Sequence, residues 1–287
     1  MKPMSSHQYR FKNNLQVVFL ISIMLLILGL IGWLIAGEMG VLWSVVTGLL
    51  LFVSIPKLSP HLLLSLNGAK RLGYNQAPEI HNIVNWLSEH AGLEIAPDIY
   101  FIPRNSLLAY SVGKRSDTAI AISNGLLNIL TPREITAVLA HEISHISHND
   151  IVVMQLTQII HLITSLLAIM AYFLVLIYIP VLYINEQPIP WLLLIILLIA
   201  PDISVLILLT ISRLREFDAD MEAITITGDP MGLASALQKL EGYEKGWLSQ
   251  FVIPRRKLHI PKFLNTHPPV KERIKRLIKI AESQEFN

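Results

Sequence analysis

The long charge-free runs in this chain restrict its architecture more than any motif does. Leu15 to Ala36 gives 22 residues without a charged side chain, and about 20 suffice to cross a bilayer as a helix. Met39 to Ile55 adds a run of 17 residues, near the lower limit for a span. From Ile151 to Asn185 there is no Asp, Glu, Lys or Arg, and the fourth run, Ile189 to Ser212, is interrupted only at Pro201 and Asp202. In hydrocarbon a backbone must satisfy its own hydrogen bonds, so such runs are expected to be helices. Four transmembrane helices are therefore expected. The first run follows Lys2, Arg10 and Lys12, as a signal peptide would. Its apolar part is too long for one and a second run follows at once, so it reads as an uncleaved span.

Composition agrees: of 287 residues, 53% are hydrophobic and 15% charged, against about 25% charged in an ordinary soluble domain. A net charge of +2 is too small to argue for a nucleic-acid partner. With no cysteine, disulfides and cysteine-bound zinc are excluded. Lys2, Arg10 and Lys12 precede the first run, Lys57, Lys70 and Arg71 follow the second, and Arg213 and Arg215 follow the fourth. The turns at Gly37-Glu38 and Asn185 to Gln187 carry no Lys or Arg. Positive loops favour the cytoplasmic side, which puts both termini and the central segment there. Residues 1–56 form one expected transmembrane hairpin and 151–212 another. Residues 57–150 and 213–287 supply a soluble part.

Within that soluble part, Pro78 to Ala91 has helical spacing, with Ile80, Ile83, Val84 and Leu87 on one face. Asp98–Ile102, Leu107–Val112 and Thr118–Ser123 read as strands, the last two joined by a turn at Gly113–Asp117. Thr131, Pro132 and Glu134 together form a helix start: an N-cap, a proline at the first helical position and the acid that closes a capping box. Asp229-Pro230 starts another helix reaching to about Lys245, Trp247 to Phe263 reads as a loop, and Pro269 to Glu282 as a basic helix facing anionic lipid.

The helix begun at Thr131 carries HEISH at 141–145. Positions four apart share a helix face, so His141 and His145 can hold one metal ion, and Glu142 can act as general base on water beside it. This is the H-E-x-x-H pattern of zinc peptidases. A catalytic zinc takes three protein ligands and keeps one position open. Extension to H-E-x-x-H-x-x-G-x-x-H fails, because the chain has His148 and Ile151 there. The third ligand is then sought in SRLREFDAD at 212–220, where Glu216 and Asp220 are also four apart. Glu216 can ligate the ion while Asp220 orients a ligand histidine. Glu222 is a rival without an acidic partner four residues later. A returning hairpin of two spans explains the gap between His145 and Glu216.

HEISH at 141–145 with Asp150 beyond it, SRLREFDAD at 212–220, GDPMGL at 228–233 and THPPVKER at 266–273 together resemble the HtpX-type membrane zinc endopeptidases, relatives of the CAAX-prenyl endopeptidases. The resemblance implies an α+β chain: a mainly helical integral membrane protein with four transmembrane helices and a cytoplasmic, zincin-like metallopeptidase domain containing a small β-sheet. It implies one Zn2+ per chain and a bacterial inner-membrane location. It also implies hydrolysis of membrane-protein or peptide substrates, in quality control of damaged membrane proteins. His267 resembles the histidine that stabilises the tetrahedral intermediate, and Arg273 its supporting arginine. Leu107, Leu108, Ala109, Tyr110 and Ser111 fall where the family has a substrate-binding edge strand, although Leu108 and Tyr110 depart from its usual small-residue run. A CAAX-prenyl-type protease and a catalytically inactive membrane scaffold are the competing readings.

Asp202 lies inside an expected span, where an ionisable residue marks a functional site or a pair. At ~1.5 Å per helical residue it is ~21 Å from Glu216, and His161 is ~24 Å from His145. These similar depths suggest an Asp202–His161 pair, with Asp202 capping the half-helix after Pro201 as the competing reading.

Overall fold

A computed structural model describes residues 6–54, 64–65, 68–114, 117–185, 191–250 and 270–285. The chain divides into two compact units, Met1–Lys57 with Val153–Ser212, and Leu58–Val152 with Arg213–Asn287. Helices dominate both.

The first unit contains α1 (Ser6–Ser54), most of α5 (Asp150–Ile184) and the first part of α6 (Trp191–Thr227). Among the described residues, three stretches are long and apolar enough to cross a membrane: Asn13–Leu51, Asp150–Ile177 and Leu194–Thr227. The first contains both of the N-terminal runs. At 39 residues it would reach roughly 58 Å as a straight helix, about twice the hydrocarbon thickness of a bilayer. It is not straight. Ala36 and Gly37 leave helical geometry, Gly37 at φ 59°, a conformation open to glycine because it has no Cβ. The two halves then fold back on each other so closely that a Cβ on Gly40 would collide with the carbonyl oxygen of Gly32.

Ile31, Ala171, Leu197 and Ala200 form a buried core in this unit. Leu26, Trp33, Leu176, Ile177 and Leu198 are more than half exposed. An apolar exterior of this extent suits lipid as the solvent, since water-facing surfaces rarely carry large apolar patches. Pro201 lies within α6 and has no N–H to give the carbonyl of Leu197 four residues back. The Tyr172 hydroxyl takes that role, donating to the Leu197 oxygen at 2.8 Å.

The expected Asp202–His161 pair does not form. His161 Nδ1 lies 3.3 Å from Ser204 Oγ instead, and Asp202 is exposed. Two residues advance a helix by roughly 200°, so the side of α6 that presents Ser204 to His161 turns Asp202 away.

The second unit is built on a four-stranded sheet of β1 (Lys70–Arg71), β2 (Asp98–Ile102), β3 (Ala109–Lys114) and β4 (Asp117–Ser123), in the order β1-β2-β4-β3. The β2–β4 pair is parallel and the other two pairs are antiparallel. Alternation sends Ile99, Ile120 and Ile122 into one core and Tyr100, Ile102, Ala119 and Ala121 into the other. A strand covered on both faces reads as a nearly continuous apolar run, as β4 does. The remaining elements are α2 (Pro78–His90), α3 (Asn124–Ile129), α4 (Pro132–Ser147), α7 (Pro230–Gln250) and α8 (Val270–Glu285). The helix at Trp247 to Gln250 replaces the start of the expected loop, and residues 251–269 lie outside the described residues. Helix α4 packs against α2, α7 and β3.

The start of α4 is the capping box read from Thr131 and Glu134. Glu134 is buried and also accepts hydrogen bonds from Lys239 Nζ and Ser235 Oγ of α7. One side chain therefore caps the helix and joins it to its neighbour.

Candidate metal centre

His141 and His145 lie one turn apart on α4, and Glu216 comes from α6. Each offers a ligand atom within 4.8 Å of the other two, the one such group among the described residues. Glu222, the rival ligand, is not part of it. The two Nε2 atoms are 3.2 Å apart. His141 Nε2 is 3.5 Å from Glu216 Oε2, and His145 Nε2 is 3.8 Å from Glu216 Oε1. Ligands about 2.0–2.1 Å from one tetrahedral ion are about 3.3 Å from one another, so these separations fit the edges of a zinc-sized site.

The surrounding charges also suit a cation. Among the described residues, Glu142, Asp150, Glu216, Asp218 and Asp220 are buried here with Arg215 and Arg273, an excess of negative charge that a divalent ion would offset. Burial alone would push the His141 imidazole down, but the Asp220 and Glu216 carboxylates beside it override this and hold it up at about 10.

Asp220 Oδ1 lies 3.1 Å from His141 Nδ1, somewhat off the ring's N–H axis. Arg273, on α8, donates to Asp220 through Nε at 2.8 Å and Nη2 at 2.6 Å, and its Nη1 is 2.8 Å from Glu216 Oε2. The sequence expectation put Arg273 beside His267. Its described contacts are with the two α6 carboxylates and, at 3.5 Å from its Nη2, with His141 Nε2, and His267 lies outside the described residues. Glu142, one residue past His141, is buried beside the ligands and close enough to Arg273 to favour its charge.

Asp150 was visible in the sequence as part of the resemblance, without a role. Helix α4 ends at Ser147, and Asn149 takes φ 55°, a left-handed conformation that asparagine tolerates. The chain turns there, and Asp150, first residue of α5, returns its Oδ2 to within 2.9 Å of His145 Nδ1. The local signal was an Asn-Asp pair after a helix end. Its target could not be read without the turn.

The β3 strand forms one edge of the sheet and pairs with β4 alone among the described residues. Leu107 and Leu108 precede the strand. The Leu108 N–H donates to Ser123 Oγ at 2.9 Å, and its carbonyl accepts from Ser123 N at 2.9 Å. Leu108 is thus tied inward. Antiparallel pairing alternates inward and outward residues, so Tyr110 also bonds toward β4, whereas Ala109, Ser111 and Gly113 aim backbone groups at the open edge.

The profile of Peptidase family M48 matches residues 74–281. A protein named Protease HtpX homolog from Sulfurihydrogenibium sp. is 31% identical, covering 95% of this chain and 98% of its own. Another of that name from Desulfatibacillum aliphaticivorans is 32% identical over 92% of this chain and 89% of its own. The crystal structure of S. mikatae Ste24p aligns with TM-score 0.49 and 19% identity, over 96% of this chain and 66% of that chain.

Proposed function

The chain belongs to peptidase family M48, and from that membership we propose that it is a four-span zinc endopeptidase of the bacterial inner membrane whose active site faces the cytoplasm. That it is a membrane protease follows from its family, its relatives and its apolar helices. The single observation carrying the metal assignment is the convergence of His141, His145 and Glu216 from two helices. The fold-back at Gly37 supports two crossings within α1, and the loop charges support the orientation.

When bound, the ion supplies Lewis acidity that polarises the scissile carbonyl and acidifies the attacking water. Glu142 accepts the water's proton and returns it to the leaving amine. Asp220 and Asp150 fix the two ligand imidazoles with the metal-facing nitrogens bare. Arg273 holds Asp220 and Glu216 in place, and His267 steadies the developing oxyanion. The open edge of β3 takes an extended peptide by strand addition, through main-chain hydrogen bonds that accept many sequences. Such breadth suits the removal of damaged membrane proteins.

Glu142→Gln is expected to retain one zinc per chain and lose cleavage of casein in detergent by at least ~100-fold. Wild-type turnover in that variant would remove the base assignment, and full zinc retention by His145→Ala would remove the metal site. Cleavage of a farnesylated peptide in preference to casein would favour the CAAX-prenyl reading.

A further inference from the structure

The two ligand histidines have separate supports. His141 faces Asp220, which Arg273 holds from α8. His145 faces Asp150, and the second oxygen of Asp150 lies 3.4 Å from Nη1 of Arg215 on α6. Arg215 is itself steered by Asp218 one turn on, with Nη2 3.1 Å from Asp218 Oδ2. All three are nearly inaccessible: Asp150 is 2% exposed, Arg215 6% and Asp218 3%.

The chemistry of this second series is directional. For Nε2 of His145 to present a lone pair toward Glu216 and His141, the ring proton must sit on Nδ1, and Asp150 Oδ2 is the acceptor in place for it. A buried carboxylate needs a partner for its remaining oxygen. Arg215 supplies that partner to Asp150 and fixes its rotation. Arg215 directly precedes ligand Glu216, so one short stretch of α6 supplies both a ligand and the support of the opposing ligand on α4.

We propose that Arg215 is a positioning residue of the metal centre, acting through Asp150 to fix the tautomer and orientation of His145. This rests on the ligand set proposed above. It assigns Arg215 no contact with substrate or metal. An arginine serving only as a packed structural ion pair would alter unfolding of the metal-free protein. It would leave metal affinity per folded molecule unchanged.

The test uses full-length protein in detergent, in the Glu142→Gln background to prevent self-cleavage. Co2+ affinity is measured by competition with a chromophoric chelator, and the visible spectrum of the cobalt-loaded protein reports ligand geometry. Asp150→Asn and Arg215→Met are each expected to weaken Co2+ binding by ~10–100-fold and to alter the spectrum. The double variant is expected to fall within ~2-fold of Asp150→Asn, because Arg215 acts through Asp150. Arg215→Lys, which keeps the charge and loses the fork, is expected to recover part of the loss. Wild-type affinity and spectrum in Arg215→Met, or losses that multiply in the double variant, would overturn the proposal. Should Arg215→Met fail to fold, wild-type Co2+ binding by both Arg215→Lys and Asp150→Asn would overturn it equally. His145→Ala and Glu216→Ala distinguish the two levels: if they also bind Co2+ normally, the ligand set itself is wrong. If they lose it while the Arg215 variants do not, only the role of Arg215 fails.

Discussion

Arg273 grips Asp220 with two parallel hydrogen bonds, Nε to Oδ2 at 2.8 Å and Nη2 to Oδ1 at 2.6 Å, in a setting where both side chains are nearly inaccessible. A guanidinium fork matches a carboxylate in a way that an ammonium cannot. The contact joins α8 to α6 and immobilises the carboxylate facing His141. Arg273→Lys is expected to weaken zinc binding ~10-fold or more. Arg273→Ala is expected to cost about 3–5 kcal/mol of stability by stranding buried carboxylates. Chelator competition and thermal unfolding measure the two effects, and neither should be near zero.

Glu134 gives a pH signature. Burial opposes its ionisation, but hydrogen bonds from Lys239, Ser235 and Thr131 outweigh burial and hold its pKa down at about 2, against an ordinary 4.5. A carboxylate lowered on folding contributes stability that is complete above the unfolded value and disappears as pH falls through the folded one. The advantage of wild type over Glu134→Gln should thus be full above about pH 4.5 and shrink steadily toward pH 2. Chelated samples unfolded across that range would measure it. A difference that does not vary with pH would contradict the assignment.

The edge of β3 lets the proposed strand addition be tested apart from folding. Ser111 aims its N–H outward, whereas Val112 sits in the inward register opposite Ala119. Proline removes one donor, and is tolerated in a strand only where that donor faces away from the ladder. Ser111→Pro is expected to keep the melting temperature within a few degrees and lower kcat/KM for casein by ~10-fold. Val112→Pro should damage the fold itself. Undiminished cleavage by Ser111→Pro would argue against strand addition.

Tyr172 and Pro201 form a compensating pair within the apolar helices. Tyr172→Phe leaves the Leu197 carbonyl without its donor and is expected to cost about 1–3 kcal/mol. Pro201→Ala restores a helical N–H to that carbonyl, so the tyrosine change should cost much less in the Pro201→Ala background. Equal costs in both backgrounds, by thermal unfolding in detergent, would show that the hydroxyl does not serve that oxygen.

Sequence by itself determined the features that depend on chain-local periodicity. Four apolar runs, the Thr131–Glu134 cap, the His141–His145 turn and the Glu216–Asp220 turn all follow from spacing along a single helix. Helical geometry is the same wherever the helix is placed. Tertiary structure decided which groups meet from different helices. Asp202 and His161 are matched in depth, yet the rotation of α6 gave the contact to Ser204. Asp150 reaches His145 because Asn149 turns the chain through a left-handed residue. Arg215 and Arg273, similar as charges in sequence, serve different carboxylates. Depth along a helix can be counted from sequence, whereas its rotation about its own axis is set by packing against neighbours distant in the chain.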